Sequence, residues 1–296
     1  MKQKHSFQIQ RVLWATDFSN ESMSCLSWMR WVQNRIQPEA HALYVLPRFS
    51  DWVYEAAFFS LEDLRLEIES TREKSVSKLA EIAKHKGLDF VAAVREGIAS
   101  EEISNYAQEH SIDMIFAGRR GLSEIEQILV GSTTARLVRN SHAPVFVVPK
   151  EKRKAAIKRI LAPVDLNELS MRELCYAIAL ARQLRSELLV THVAEFYNYK
   201  VPALKHHQLM ERINRRIADV AADMDYEVQN IIHETGEPAH KIIEVAADQD
   251  IDVIVMATSQ RRGLEKFLMG SVTQKVLLAT SIPLIVLPPN GDSAAE

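Results

Sequence analysis

Gly118-Arg119-Arg120-Gly121 is followed by nine residues and then by Gly131-Ser132-Thr133-Thr134. Glycine lets a backbone pass close to a ligand and adopt positive φ. Successive N–H groups in such a loop form a concavity that suits an anion. An apolar run, Met114 to Ala117, leads into the loop, and a helical pattern starts near Ser132. The first N–H groups of a helix lack partners within it, and its dipole favours negative charge there. Strand, glycine loop and hydroxyl-rich helix start together make a place for phosphate. Asp17 closes a second apolar run, Val12-Leu13-Trp14-Ala15. Ligands of open parallel sheets sit beyond the carboxyl ends of strands, where the strand order switches, and Asp17 and Gly118 both fall at such ends. The spacing is neither a P-loop nor a dinucleotide fingerprint. No His–carboxylate–nucleophile set and no P-loop lysine accompanies the loop, so the residues point to binding rather than to efficient turnover.

The elements around these residues occur twice. Ile-Asp-Met-Ile-Phe-Ala-Gly (112–118) returns as Ile-Asp-Val-Ile-Val-Met-Ala (251–257), and Gly131-Ser132-Thr133-Thr134 returns as Gly270-Ser271-Val272-Thr273. The offset is 148 residues early in each half and 139 late, so one indel of nine residues after Val45 separates the copies. A repeat this long is a duplicated domain rather than a solenoid unit. The expected domains are 1–150 and 151–296, joined at Lys150-Glu151-Lys152-Arg153-Lys154, a solvated linker.

Each half alternates strand and helix patterns. In the first, Ser19 is placed to cap a helix carrying Leu26, Met29, Val32 and Ile36 on one face. Strand Ala42 to Val45 follows, then a long helix through Leu61, Leu64, Ile68, Val76, Leu79 and Ile82 that ends near Gly87. Strand Phe90 to Val94, a helix with Ile103 and Ala107, strand Met114 to Ala117, a helix from Ser132 and strand Val145 to Val148 complete it. The second half predicts strands at 160–164, 188–193, 226–232, 252–256 and 284–287, with helices at 168–185 (capped by Asn167), 204–223, 239–249 and 272–280. This alternation implies a doubly wound α/β fold with parallel five-stranded sheets. The last strands, Val145-Phe146-Val147-Val148 and Leu284-Ile285-Val286-Leu287, are apolar on both faces and would be hazardous edges. Pairing them with each other covers both, so the halves are expected to meet about an internal pseudo-twofold.

Composition is that of a globular chain, 47% hydrophobic and 25% charged, and 296 residues suit two domains. A net charge of −3 gives no reason to expect nucleic acid or an anionic membrane as partner. No apolar run approaches a bilayer span, and the first residues lack a signal-peptide core, so a cytoplasmic location is expected. Cys25 and Cys175 are too few for a disulfide framework and read as small buried helix residues. The ten histidines show no metal-ligand spacing, and no metal site is expected.

The Gly-x2-Gly-x9-Gly-Ser pattern, the Asp closing the first strand and Ala143-Pro144 before the last strand resemble the universal stress protein family, and the same order of elements recurs in the second half. The likeness covers both halves, so the chain resembles a tandem member. It implies a Rossmann-like sheet of order 3-2-1-4-5 and, in the nucleotide-binding branch, ATP in the crevice, with Mg2+ as an optional companion. The resemblance places Ala15, Thr16 and Asp17 at the adenine and ribose end and Val45 against the base. Ala117 and Gly118 line the path to the phosphates, which Gly121, Gly131, Ser132, Thr133 and Thr134 hold; Arg119 and Arg120 face water, as exposed loop arginines commonly do, or one of them adds charge.

The second set is Pro163, Val164, Asp165, Val193, Met256, Ala257, Gly270, Ser271, Val272 and Thr273. There Ala257 and Gln260 stand where the first half has Gly118 and Gly121. A Cβ where positive φ is needed costs about 1–2 kcal/mol, so this site is expected to be weak, empty or altered in ligand. Ser271 to Gln274 also reads as a capping box that needs no ligand. The leading expectation is a nucleotide-binding stress or signalling protein without a dedicated catalytic set, at most a slow ATPase. One alternative is a nucleotide-free interaction module. Another is a nucleotide-activating enzyme, which wants a His-x-Gly-His or Ser-Gly-Gly-x-Asp-Ser loop that Trp14 to Ser19 does not supply. Phe49, Trp52, Tyr54, Phe58 and Phe59 crowd the indel, as a core cover or as a surface for a partner or second subunit, giving a homodimer.

Overall fold

The computed structural model describes residues 7–47, 61–120, 130–150, 154–165, 167–195, 203–258 and 270–288. Gly121, Gln260 and the aromatic segment 49–59 lie outside them.

The first half runs β1 (Arg11–Thr16), α1 (Asn20–Ile36), β2 (Glu39–Pro47), α2 (Leu61–Lys86), β3 (Val91–Gly97), α3 (Ala99–Glu109), β4 (Met114–Gly118), α4 (Ser132–Asn140) and β5 (Val145–Val148). The second repeats it: β6 (Arg159–Pro163), α5 (Glu168–Leu184), β7 (Glu187–Ala194), α6 (Ala203–Asp223), β8 (Asn230–Thr235), α7 (Pro238–Asp248), β9 (Val253–Ala257), α8 (Ser271–Ala279) and β10 (Leu284–Leu287). Strands within each half pair in parallel, in the order third, second, first, fourth, fifth. Among the described residues no helix is long and apolar enough to cross a membrane.

The halves join as one ten-stranded sheet, β3-β2-β1-β4-β5-β10-β9-β6-β7-β8. The join is antiparallel, with Ile285 opposite Phe146 at its centre, so the order reads the same from either end. This accounts for the unbroken apolar character of β5 and β10, which are interior strands of a shared sheet. Alternate residues of each strand feed two cores. Trp14, Phe116, Phe146 and Ile285 pack under α1, α2, α5 and α6. Leu13, Ile115, Val145 and Ile254 pack under α3, α4, α7 and α8. The first core is continuous across the join: Phe7 stacks on Tyr176 at 4.5 Å, and Arg35 Nε donates to the Leu184 carbonyl at 2.8 Å.

Local signals act as their chemistry dictates. Ser19 Oγ accepts from the Ser22 amide and Asn167 Oδ1 from the Ser170 amide, so each caps its helix. Gly87 ends α2 at φ +58, a conformation in which a Cβ would be strained. Three strands differ from the sequence expectation by three residues or more at one end, the second because it runs Glu39–Pro47 rather than 42–45. The third begins at Val91 and extends to Gly97, past the expected end at 94. The eighth occupies 230–235 rather than 226–232. Residues 224–226 instead form the turn that closes α6, with Asp225 at φ 53 and the Tyr226 amide bonded to the Ala221 carbonyl. Tyr226 and Val228 pack on the core from this connection, and so mimic a strand's apolar pattern.

Candidate functional site

A cleft of about 250 Å³ opens where β1 and β4 diverge, at the switch in strand order of the first half. Ala15, Thr16, Asp17 and Val45 line one end; Ala117, Gly118, Gly131, Ser132, Thr133 and Thr134 line the other. Of the expected set, only Gly121 falls outside the described residues. Ser22, Ala99, Ile103, Leu137 and Arg120 complete the wall. The first four were not singled out as site residues, because Ala99, Ile103 and Leu137 are apolar and the lone hydroxyl of Ser22 lies inside a helix pattern; helical spacing could only have placed them on inward faces.

The β1–α1 turn is built to hold Asp17 in place. Asp17 Oδ1 accepts the Ser19 amide at 3.0 Å. Thr16 Oγ1 accepts the Phe18 amide at 2.9 Å and lies 3.0 Å from Ser22 Oγ. Ser22 Oγ gives its single hydrogen to the Ser19 carbonyl, so Thr16 is the donor to Ser22. The Ser22 carbonyl in turn accepts from Trp14 Nε1 at 2.8 Å, inside the core. Between Asp17 and Ser19, Phe18 sits at φ 62, a strained setting for a bulky residue. Its ring packs against Tyr44, tilted, at 4.7 Å and lies beneath Lys78 Nζ at 4.0 Å. These contacts offset the strain.

At the other end, Thr134 Oγ1 donates to the Gly118 carbonyl at 2.7 Å, and the Gly131 amide donates to the Arg119 carbonyl at 2.8 Å. These two bonds dock the start of α4 onto the end of β4. Gly131 occupies the cap position, and no side chain caps the helix there. The first turn carries no acidic residue. The amides of that turn therefore face the cleft with the positive end of the helix dipole. Arg120 lines the cleft, and its buried Nε has no hydrogen-bond partner among the described residues. Arg119 turns the other way and donates from Nη1 to the carbonyl of Thr280, in the second half, at 2.6 Å.

Gly118 corrects one part of the sequence argument. Its φ lies outside the left-handed range, so positive φ is not what demands glycine there. A Cβ at this position would lie 2.9 Å from both Glu21 C and Ser22 N, and 3.1 Å from the Arg120 carbonyl oxygen. The glycine lets the start of α1 pack directly on the end of β4, the close helix–strand contact seen in Rossmann-type turns.

The second half brings its counterparts to the equivalent place but wires them differently. Pro163 ends β6, and Val164 is buried with its carbonyl held by His192 Nδ1 at 2.8 Å. Asp165 is exposed, and both its oxygens accept from Asn167, the amide on one and Nδ2 on the other, each at 2.8 Å. These bonds let the loop aspartate orient the start of α5 without any ligand. Thr273 Oγ1 donates to the Ala257 carbonyl at 2.8 Å, repeating the Thr134–Gly118 bond. Gly270 caps α8, Ser271 is exposed, and Val272 replaces the hydroxyl of Thr133 by a methyl. The capping-box reading of Ser271 to Gln274 does not hold, because Ser271 is the first helical residue rather than the cap. Val193 is half-buried and Met256 is 5% exposed. Ala257 does not adopt positive φ, so the strain assigned to it from sequence is absent.

A feature that sequence reasoning missed is Glu173. It is 4% exposed on the buried face of α5, where the repeat has Cys25 in the first half. Glu173 Oε2 accepts the Ala257 amide at 2.9 Å, and Oε1 has no partner among the described residues. Burial, with a lesser contribution from Asp165, pushes this carboxyl well above the ordinary range. The readable signal was a glutamate amid Met171, Leu174 and Ile178, where the helical period demands an apolar residue.

Comparison with known proteins agrees with this architecture. The family model for the universal stress protein family matches residues 8–149 and again 156–288. Universal stress protein MJ0531 of Methanocaldococcus jannaschii is 27% identical over 145 residues, covering 49% of this chain and 85% of that protein. Universal stress protein MJ0577 of the same organism is 26% identical over 161 residues, covering 49% of this chain and 98% of its own. In fold, the chain is similar to a universal stress protein from Archaeoglobus fulgidus, with a TM-score of 0.72 at 20% identity, over 96% of this chain and 100% of that one. Two matched segments, two copies of one α/β unit and full-length likeness in fold lead to one assignment: the chain belongs to the universal stress protein family, which it matches twice in tandem.

Proposed function

We propose that the first-half cleft binds an adenine nucleotide, ATP above all, and that the protein acts as a stress-response or signalling factor through the bound state. The observation that carries this reading is the pairing of opposite chemistries across one cleft. Asp17, held by the Ser19 amide, offers an acceptor to a base or ribose. The uncapped start of α4 offers its first-turn amides, the hydroxyls of Ser132 and Thr133 and the charge of Arg120 to phosphates, while the Thr134 hydroxyl hydrogen is held by the Gly118 carbonyl. Mg2+ would come with the nucleotide, held mainly by phosphate oxygens and water. The second half is proposed to hold no ATP. Val272 lacks the hydroxyl of Thr133, and Ala257 and Gln260 stand where the first half has Gly118 and Gly121. The role is binding; hydrolysis, where it occurs, is slow.

The competing reading, a nucleotide-free interaction module, is favoured by the packing role of Gly118, which explains that glycine with no ligand. Titration with ATP separates the two. The wild type is expected to bind, and Thr133→Glu, which puts a carboxylate at the phosphate end, to lose at least about tenfold in affinity. A chain that takes up no ATP, or a variant that binds as well as wild type, overturns the proposal.

A further inference from the structure

We infer that Arg119 couples the first cleft to the second half, so that a nucleotide in the first cleft stabilises α8. This rests on the nucleotide reading above and assigns that site a regulatory output. Arg119 stands in the glycine loop but does not line the cleft. Its backbone is fixed on both sides: the amide donates to the Val148 carbonyl at 2.8 Å, and the carbonyl accepts from Gly131 at 2.8 Å. Gly131 is the cap of the helix whose first turn would hold the phosphates. The guanidinium then crosses the join to the carbonyl of Thr280. Thr280 is the cap at the carboxyl end of α8 and is 3% exposed. A cation at that end of a helix meets its unpaired carbonyls and the negative end of its dipole.

The result is an unbroken chain of contacts. It runs from the phosphate end of the first cleft, through Gly131, Arg119 and Thr280, along the nine residues of α8, to Gly270 and Ser271 at the second crevice. A ligand that orders the start of α4 fixes Gly131, and through it the backbone from which Arg119 reaches α8. The second event of ordering is then already partly met, which is positive coupling without a large movement. Linkage makes it reciprocal: whatever steadies α8 must tighten the first cleft by the same factor.

The repeat shows that this contact is not a by-product of the fold. The counterpart of Thr280 is Ser141, the cap of α4, and the counterpart of Arg119 is Thr258. The Thr258 hydroxyl stays within its own half, donating to the Leu287 carbonyl at 3.3 Å. A threonine has no reach to the other helix. The link through this position therefore runs from the first half's loop to the second half's helix and has no mirror image.

Hydrogen exchange of the full chain, read by mass spectrometry with and without saturating ATP, tests this. In the wild type, ATP is expected to slow exchange across Ser271–Ala279 by about fivefold. In Arg119→Met, ATP affinity measured by titration should stay within about threefold while the effect on α8 disappears. Arg119→Lys, which keeps the charge and the fold but not the planar fork, should retain part of it. Equal protection of α8 in wild type and Arg119→Met, or none in a wild type that binds ATP, overturns the coupling and leaves the nucleotide reading intact. A wild type that binds no ATP overturns the nucleotide reading first, and the titration identifies that case.

Discussion

Replacing Glu173 by glutamine is the substitution whose effect follows most directly from the structure. The carboxyl lies under the end of β9 with one oxygen on the Ala257 amide and the other buried without a partner. Desolvation raises its proton affinity in the folded chain, and Asp165 adds to the shift. Below the ordinary carboxyl range both folded and unfolded chains carry the proton, and the group adds no pH dependence. As pH rises through that range the unfolded chain releases the proton while the folded chain keeps it. Stability is then lost at up to about 1.4 kcal/mol per pH unit until the folded group also ionises. The loss goes on growing between pH 5 and pH 7 for as long as the folded group keeps its proton. Glutamine keeps an acceptor for the Ala257 amide and cannot ionise, so Glu173→Gln should flatten this slope. Its melting temperature should exceed that of wild type by more at pH 7 than at pH 5, the gap widening as pH rises. Circular dichroism is the right probe, since all four tryptophans lie in the first half and report poorly on this site. A difference between variant and wild type that is the same at pH 5 and pH 7 would show that the buried carboxyl does not retain its proton, and would refute the reasoning.

Further outcomes follow from the first half. Gly118→Ala should destabilise the protein by about 1–3 kcal/mol in the absence of any ligand, because its Cβ meets the backbone of α1; a thermal melt without nucleotide reads this. Thr16→Val removes the acceptor of the Phe18 amide and the donor to Ser22, and should cost about 1–3 kcal/mol in urea unfolding followed by tryptophan fluorescence. Arg120→Ala should weaken ATP binding by about tenfold and reduce its salt dependence in titrations at two ionic strengths. At the opposite end of the sheet, burial lowers the proton affinity of His41, whose Nδ1 lies 2.8 Å from Tyr106 Oη. The folded chain thus binds fewer protons there than the unfolded one, and stability falls as pH drops below the ordinary histidine value. His41→Leu with Tyr106→Phe, guided by Leu189 and Val245 in the second half, should remove that acid-side loss in melts between pH 7 and pH 5.

Much of the fold was legible because local and global signals agree. Alternating strand and helix patterns, the caps Ser19 and Asn167 and the terminator Gly87 each act where their chemistry places them. The join was legible for a different reason: two short strands apolar on both faces had to cover one another, and β5 does lie against β10. The expected end of the third strand failed because an edge strand carries weak periodicity, and the start of the eighth because Tyr226 and Val228 pack from a turn. At the site, residue types at the right spacing brought Asp17, Gly118, Gly131 and the hydroxyls of α4 to one cleft. What spacing did not reveal is which physical demand a glycine meets. Gly118 answers a helix backbone rather than a dihedral angle. Nor did it reveal Glu173, whose importance depends on being buried beside an amide that is 84 residues away in sequence. The two arginines illustrate the same limit: neighbours in sequence, one lines the cleft and the other reaches across the join.

The proposed function requires one nucleotide site per chain, in the first half. Native mass spectrometry of the full chain over a range of ATP concentrations tests it most directly, with Thr133→Glu beside the wild type. A single added nucleotide per chain that saturates at one and is lost in the variant is the expected result. No adduct would remove the claim, and two adducts, or one that persists in Thr133→Glu, would place the nucleotide somewhere other than the first cleft alone.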